Sequence, residues 1–389
     1  MKLELTAQQS ADQQAFREFS DTSIAPFADE WDRDERFPRE VIERMARQGY
    51  LGAVVPQASG GSGSDMISFG LLHEEIGRGC SSARSLLTVH SMATFALHRW
   101  GSQQLKRRYL AELIDGSLLG AFGLSEPNVG SDARSIETTA HMEGDHYRLN
   151  GCKKWVTFGQ LADLFLVFAQ HEGKSIALLL ERTTPGLTVV PISGMLGTRA
   201  AMLAELHLEN CAVPVANRIG GPGFGLAAIA TSALDIGRYS VACGSVGLAQ
   251  ACLEASVRYS SERHQFGVPL KEHQLIRQLI SQMLTNIKAA RLLCMQAGYL
   301  KDSGHPNTVM ETWIAKYFAS TTAMKAALDA VQIHGANGCS AAYPVQRYMR
   351  DAKIAEIIEG STQLQEVTIA DYAYEQQLAH HQPAGANHD

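Results

Sequence analysis

No apolar run in this chain of 389 residues reaches the roughly 20 that a helix needs to cross a bilayer. The opening, MKLELTAQQSADQQ, turns polar at once and holds no apolar signal segment. Both absences predict a cytoplasmic protein with no membrane insertion. Positive charge is scarce as well: 34 Lys and Arg against 40 Asp and Glu leave a net charge of −6. That balance gives no footprint for nucleic acid. Cysteine is sparse and unpatterned, with Cys80, Cys152, Cys211, Cys243, Cys252, Cys294 and Cys339 scattered and no CxxC pair among them. Reduced, mostly buried thiols are expected, with no disulfide framework and no metal site. A regular β-α alternation is missing too, which counts against a dinucleotide-binding fold. GGPGFG, 220–225, lacks the GxGxxG spacing and follows an Asn-Arg turn rather than a clear strand.

What is present is an ordinary globular composition, 45% apolar and 19% charged, in a chain long enough for two or three compact units. Residues 1–118 read as an N-terminal α-helical domain, in which FPREVIERMARQGY places Pro38 at a helix start and VVPQASGGSGSD forms a loop. Residues 119–224 carry short segments rich in Val, Leu and aromatics, among them HYRLNGCKKWVT, ADLFLVFAQ, SIALLLE and AELHLENCAV. They predict a middle, mostly antiparallel β-sheet domain. Residues 225–378 return to long helical periodicity and predict a C-terminal four-helix bundle, followed by a flexible polar tail at 379–389. The fold class is α+β.

One short stretch is out of keeping with its surroundings. IIEGSTQLQ, 357–365, sets Glu359 between isoleucines and Gly360. Apolar neighbours favour the protonated carboxyl and move its pKa toward working pH, as a general base requires. Gly360 permits close backbone approach, so an N–H there can face a developing oxyanion. The same residues also suit a plain helix end. AFGLSEPNVGSD, 121–132, offers a proline-fixed turn with hydroxyl donors, suited either to wrapping a planar ligand or to a decorated turn. KKWVTFG, 153–159, puts Trp155 and Thr157 on one strand face, where a tryptophan serves a core or covers a cofactor.

Taken together, LSEPNVGSD, KKWVTFG, SSERHQFGVPLKEHQ, AVQIHGANG and YMRDAKIAEIIEGSTQLQ resemble the acyl-CoA dehydrogenase family, in the family's order and along almost the whole chain. The resemblance implies the helix–β–helix fold and FAD as cofactor. It places Phe122, Leu124, Ser125 and Ser131 along the isoalloxazine or its ribityl side, and Trp155 and Thr157 over the flavin near N5. Arg263 and Gln265, with Phe266 beside them, match groups from a neighbouring subunit at the FAD pyrophosphate. Gln332, His334, Gly335 and Ala336 match that neighbour's reach to the adenine half, which implies a homotetramer. Ser361 and Gln363 match cofactor contacts behind the catalytic loop. Glu359 matches the base that removes the proton α to a thioester carbonyl while hydride leaves the β carbon for the flavin. Ser131, Arg238 and Gly360 fall on the substrate side. Some branches carry the base where this chain has Gly237, which accepts no proton.

The pattern departs from the family in four places. Ala201 and Leu203 replace hydroxyl residues, and Glu366 and Asp371 replace arginines near the CoA entrance. Lost positive charge weakens phosphate contacts. The block GMLGTRAAMLAEL resembles dehydrogenases of polyketide pathways that act on an acyl carrier protein, including hydroxymalonyl thioesters, where the base takes the hydroxyl proton and hydride leaves the α carbon. Acyl-CoA and carrier-protein substrates are therefore both expected as candidates, with an electron-transfer flavoprotein or another acceptor as electron partner. An acyl-CoA oxidase and an inactive flavin-binding scaffold are the alternatives.

Overall fold

The computed structural model describes residues 4–381, so residues 382–389 of the expected tail lie outside the described residues. Helices come first: α1 (Ala7–Ser23), α2 (Ala28–Asp34), α3 (Arg39–Arg47), α4 (Met66–Gly79), α5 (Ser81–Trp100) and α6 (Gln103–Asp115). Their starts follow from short polar side chains. Thr6 and Gln9 form a reciprocal capping box at α1, Asp65 accepts from Ser68 N at 2.6 Å before α4, and Ser102 accepts from Leu105 N at 3.2 Å before α6. The glycine- and serine-rich loop thus ends at Asp65, where a cap first becomes available.

The middle of the chain is a sheet of β1 (Gly120–Gly123), β2 (Thr139–Glu143), β3 (His146–Val156), β4 (Leu164–His171), β5 (Lys174–Glu181), β6 (Leu187–Pro191), β7 (Ala204–Pro214) and β8 (Arg218–Ile219). Its order is β6-β7-β3-β2-β4-β5-β8, with β1 beside β4. Pairing is antiparallel except where β4 meets β1 and, at one residue pair, β2. Strand β4 is buried on both faces, which explains its continuous run of apolar residues. Leu164, Leu166 and Phe168 pack with Ala93 and Leu97 of α5 and Leu110 of α6, while Phe165 and Val167 turn to Tyr147 and Leu206 within the sheet.

A π-helical turn, Gly225–Ala230, leads into α7 (Thr231–Glu262). The hairpin β9 (His264–Gln265) and β10 (Val268–Pro269) follows, then α8 (Gln274–Asp302), α9 (Thr308–His334), α10 (Val345–Ile357) and α11 (Thr362–His381). Small residues let these helices approach closely. Ala315, Ala319, Ala323, Ala327 and Ala330 of α9 are fully buried, and a Cβ at Gly247 of α7 would lie 1.9 Å from the Glu74 carbonyl of α4. One apolar core unites Phe69 and Leu72 of α4 with Val246 of α7, Ile287 of α8 and Ile333 of α9. The helices at the two ends of the chain therefore share a core instead of forming separate ones. Gly225–Glu262 is long and apolar enough to cross a membrane, but 78% of its most apolar window is buried inside the molecule. Residues with small side chains hide that length from a count of consecutive strongly apolar positions.

Candidate active site

Helix α10 stops at Ile357, Ile358 turns extended, and α11 starts at Thr362 with the Ser361 hydroxyl accepting from Leu364 N at 3.4 Å. The chain reverses between them through Glu359 at φ 57° and Gly360 at φ 95°. Glycine adopts that region freely, whereas glutamate is strained there by about 1–3 kcal/mol. Two cations hold the strained pair. Arg238 Nε donates to the Glu359 carbonyl at 3.0 Å, and Lys316 Nζ donates to the Gly360 carbonyl at 2.8 Å. Arg238 is itself fixed by stacking its guanidinium 4.2 Å from the centre of the Trp313 ring.

The reversal turns the Glu359 side chain inward, toward Gly237 of α7. A Cβ at Gly237 would meet Glu359 Oε2 at 2.7 Å and Met92 Sδ at 2.8 Å. The absent side chain at Gly237 is what admits the carboxylate, so the two positions converge in space. Oε2 is buried and has no hydrogen-bond partner among the described residues. Burial pushes the Glu359 carboxyl up to about 7, against the opposing pull of Arg238, Lys316 and Arg84. Burial likewise pushes Lys316 down to about 7. The arrangement is a carboxyl group poised near neutrality, with a free oxygen facing into the interior. Arg238 orients the turn and leaves Oε2 unbonded.

On the sheet side, the β3–β7 register shifts between Lys153 and Val156, and Trp155 sits in that irregularity at φ 62°. The bulge lifts the indole out of the sheet, 48% exposed. Lys154 N donates to Ser125 O at 2.8 Å, which brings the LSEPNVGSD and KKWVTFG segments side by side. Beneath them Lys153 Nζ pairs with Glu126 at 2.6 Å and also reaches the Leu124 carbonyl at 3.3 Å. Phe122 packs on Phe168, ring centres 5.1 Å apart. Leu124, Ser125 and Thr157 are half-buried and Ser131 is exposed. An exposed indole beside the Ser125, Ser131 and Thr157 hydroxyls is a donor set that fits FAD, whose ring system is flat with polar edges.

The remaining predicted cofactor residues lie elsewhere. Arg263 caps α7, and the hairpin beyond it presents Gln265 and Phe266, the latter 94% exposed at φ 55°. From Gly237 to Glu262 is 25 residues of helix, about 38 Å at ~1.5 Å per residue, so this block lies far along α7 from the same chain's Glu359. Gln332, Gly335 and Ala336 are exposed at the same end of the bundle, and Gln363 is exposed on α11. His334 departs from the expectation of a cofactor contact. Its ring stacks on Tyr259 at 4.2 Å and Nδ1 bonds the Ala330 carbonyl, so the side chain is committed to packing between α7 and α9. Sequence reasoning missed Lys316, Trp313 and Arg84. The signal for both cations was available: each is a charge among small and apolar neighbours, in SSARSLL and WIAKYFAS, the same anomaly that marked Glu359.

Comparison with known proteins agrees with this geometry. The family model for the acyl-CoA dehydrogenase N-terminal domain matches residues 6–117, the middle domain 121–211 and the C-terminal domain 223–373. The chain is 39% identical to the probable acyl-CoA dehydrogenase YngJ of Bacillus subtilis, covering 95% of this chain and 99% of the relative. It is 38% identical to the glutaryl-CoA dehydrogenase of Desulfococcus multivorans, over 92% and 94%. The solved prolyl acyl carrier protein oxidase AnaB superimposes with a TM-score of 0.90 at 30% identity, over 95% and 100%. With all three family domains matched in order over a half-buried Glu359 whose Oε2 is enclosed and an exposed Trp155, the chain belongs to the acyl-CoA dehydrogenase family.

Proposed function

We propose that this protein is an FAD-dependent dehydrogenase of acyl thioesters in which Glu359 is the base. The observation that carries the reading is the buried, unpartnered Glu359 Oε2 in the space left by Gly237. Glu359 takes the proton from the carbon α to the thioester carbonyl, and the closed surroundings keep water from competing for it. Arg238 and Lys316 hold the Glu359 and Gly360 carbonyls, which sets the angle at which the carboxylate meets that carbon. The Gly360 N–H steadies negative charge on the thioester oxygen. FAD, when bound, supplies the acceptor for the hydride leaving the β carbon. Phe122, Leu124, Ser125, Ser131, Trp155 and Thr157 hold its ring, and Ser361 and Gln363 its nearer contacts. The units are 1–118, 119–224 and 225–378. The protein works in the cytoplasm and passes electrons to an electron-transfer flavoprotein or another acceptor.

The assembly is a homotetramer in which Arg263, Gln265, Phe266, Gln332, Gly335 and Ala336 complete a neighbour's FAD site. Supporting this are the ~38 Å along α7 and the exposure of Phe266, an aromatic that gains most by being covered. Light scattering on active, flavin-loaded protein is expected to return four times 42.3 kDa. An active monomer with full flavin overturns the assembly.

The acyl group arrives on a carrier protein in preference to CoA. Ala201 and Leu203 are buried and apolar, and Glu366 and Asp371 are exposed on α11, Glu366 accepting from Tyr317 at 3.1 Å. These acids repel the phosphates of CoA, and the relative AnaB is named for a carrier-bound substrate. Anaerobic flavin bleaching by one acyl group on both carriers tests the function and the preference together. Bleaching by neither sinks the dehydrogenase reading, and equal or faster bleaching by the CoA ester sinks the preference alone.

A further inference from the structure

Strands β3 and β7 bring together a sulfur, a nitrogen and an oxygen that the chemistry above does not use. Cys152 stands directly opposite His207 in the antiparallel ladder, and Lys153 stands opposite Leu206. Alternation along each strand then sorts the two faces. Lys153 and Leu206 are buried, whereas Cys152, Lys154, Glu205 and His207 share the opposite, half-buried face. On its other side β7 pairs with β6, whose Thr188 and Val190, opposite His207 and Glu205, are exposed. A small ion therefore reaches this face from solvent.

The thiol sulfur of Cys152, a ring nitrogen of His207 and a carboxylate oxygen of Glu205 all lie within 4.8 Å of one another. Among the described residues no other three His, Cys, Asp or Glu side chains gather in this way. Glu205 is divided between two partners. Its Oε1 is held by Lys154 at 2.8 Å, and its Oε2 lies 3.0 Å from His207 Nε2. Two ligand atoms on one tetrahedral ion with bonds of about 2.1 Å stand roughly 3.4 Å apart, so this pair needs only a small parting. The lysine stays on the other oxygen and fixes the carboxylate from outside. Cys152 Sγ donates only a long bond of 3.7 Å to the Lys153 carbonyl. Burial, and next the Glu205 charge, push its thiol up, so the sulfur stays protonated until a cation offsets them.

We propose that Cys152, Glu205 and His207 bind Zn2+ in a three-ligand site with water in the fourth position. The proposal does not depend on the dehydrogenase reading. Thiolate, imidazole and carboxylate together suit a borderline-soft dication, whereas Mg2+ and Ca2+ take oxygen ligands in greater number. Binding forms three metal–ligand bonds and releases the thiol proton to solvent, with no change of oxidation state. The ion ties β3 to β7 beside the register shift between Lys153 and Val156, where Trp155 leaves the sheet. Spacing along the chain predicts no metal site, because these cysteines form no CxxC pair. Only pairing across the sheet places Cys152 against His207.

Titration of metal-depleted, flavin-loaded protein with Co2+ tests this, because the visible bands of tetrahedral Co2+ lie to the red of oxidised flavin. Wild type is expected to take up one equivalent with the strong bands of a thiolate-bound tetrahedral ion, and Zn2+ is expected to abolish them. In Cys152→Ser those bands are expected to disappear. In His207→Gln the affinity is expected to fall by more than the roughly 10–100-fold that losing an outer partner costs. Zn2+ is expected to raise the melting temperature of wild type and not of C152S, and Mg2+ to move neither. Both positions are half-buried, and flavin content with the metal-free melting temperature reports whether each variant is folded. Should C152S fail that check, H207Q carries the test alone. Co2+ bound only in octahedral form, or bands equally strong in C152S, overturns the site. Unchanged affinity in H207Q, or an equal shift with Mg2+, overturns the ligand assignment.

Discussion

Glu359→Gln is expected to keep FAD bound and slow substrate-dependent flavin reduction by at least about 10²–10⁴-fold. Glutamine preserves the size of the side chain in the space beside Gly237 and removes the proton acceptor. The loss should not come from unfolding, and the sign of the pKa shift says why. Glu359 titrates near 7 in the folded protein against an ordinary value of 4.5. Its contribution to stability is therefore fully present below 4.5 and is lost as pH rises through about 7. Removing the charge spares the variant that loss, so at pH 8 its melting temperature should be no lower than wild type's. Wild-type flavin reduction should rise with pH through about 7 as the carboxylate forms, and the residual rate of the variant should lack that step. Rapid anaerobic reduction of E359Q, with the step intact, would assign the proton transfer to a different group.

Lys153→Met is expected to destabilise the protein by about 3–5 kcal/mol and to lower its flavin content. The Lys153 and Glu126 side chains are 0% and 1% exposed and pair at 2.6 Å. Burial pushes Glu126 up, but hydrogen bonds from Lys153, Thr138 and Glu137 N prevail and hold it below the usual carboxylate value. Deleting the lysine leaves a buried carboxylate with only Thr138 and the Glu137 amide. The same ammonium holds the Leu124 carbonyl, so the segment bearing Ser125 loosens where the flavin ring is held. Because a depressed carboxyl stabilises the fold above its ordinary pKa and loses that effect on acidification, the gap to wild type should close as pH falls below 4.5. Urea denaturation at pH 7 and pH 4, with flavin released per chain, measures both effects. A midpoint unchanged at pH 7 would mean that Glu126 is satisfied without its lysine.

Much of the architecture was legible because it rests on local periodicity. Helical periodicity marked α8, and short segments rich in Val, Leu and aromatics marked β3, β4, β5 and β7. Single residues out of keeping with their neighbours were legible too, which is how Glu359 stood out before any fold was known. Strand β2 and the two-residue strands β8, β9 and β10 carried too few residues for a period to register. Left-handed backbone at Trp155, Phe266 and Glu359 was equally hidden, since none of these residue types prefers it. Tertiary packing imposes it, through the β3 bulge at Trp155 and the Arg238 and Lys316 clamps at Glu359.

By itself, then, the amino-acid order determined the elements and their succession and singled out Glu359, because propensity, patterning and the cost of burying a charge act within a few residues. Only the tertiary structure decided which distant groups share the surroundings of Glu359. Arg84 on α5, Gly237 and Arg238 on α7, Lys316 on α9 and Glu359 between α10 and α11 are spread over most of the chain. They meet because small residues let α5, α7 and α9 pack closely around one core, and no local pattern encodes which helix faces will touch.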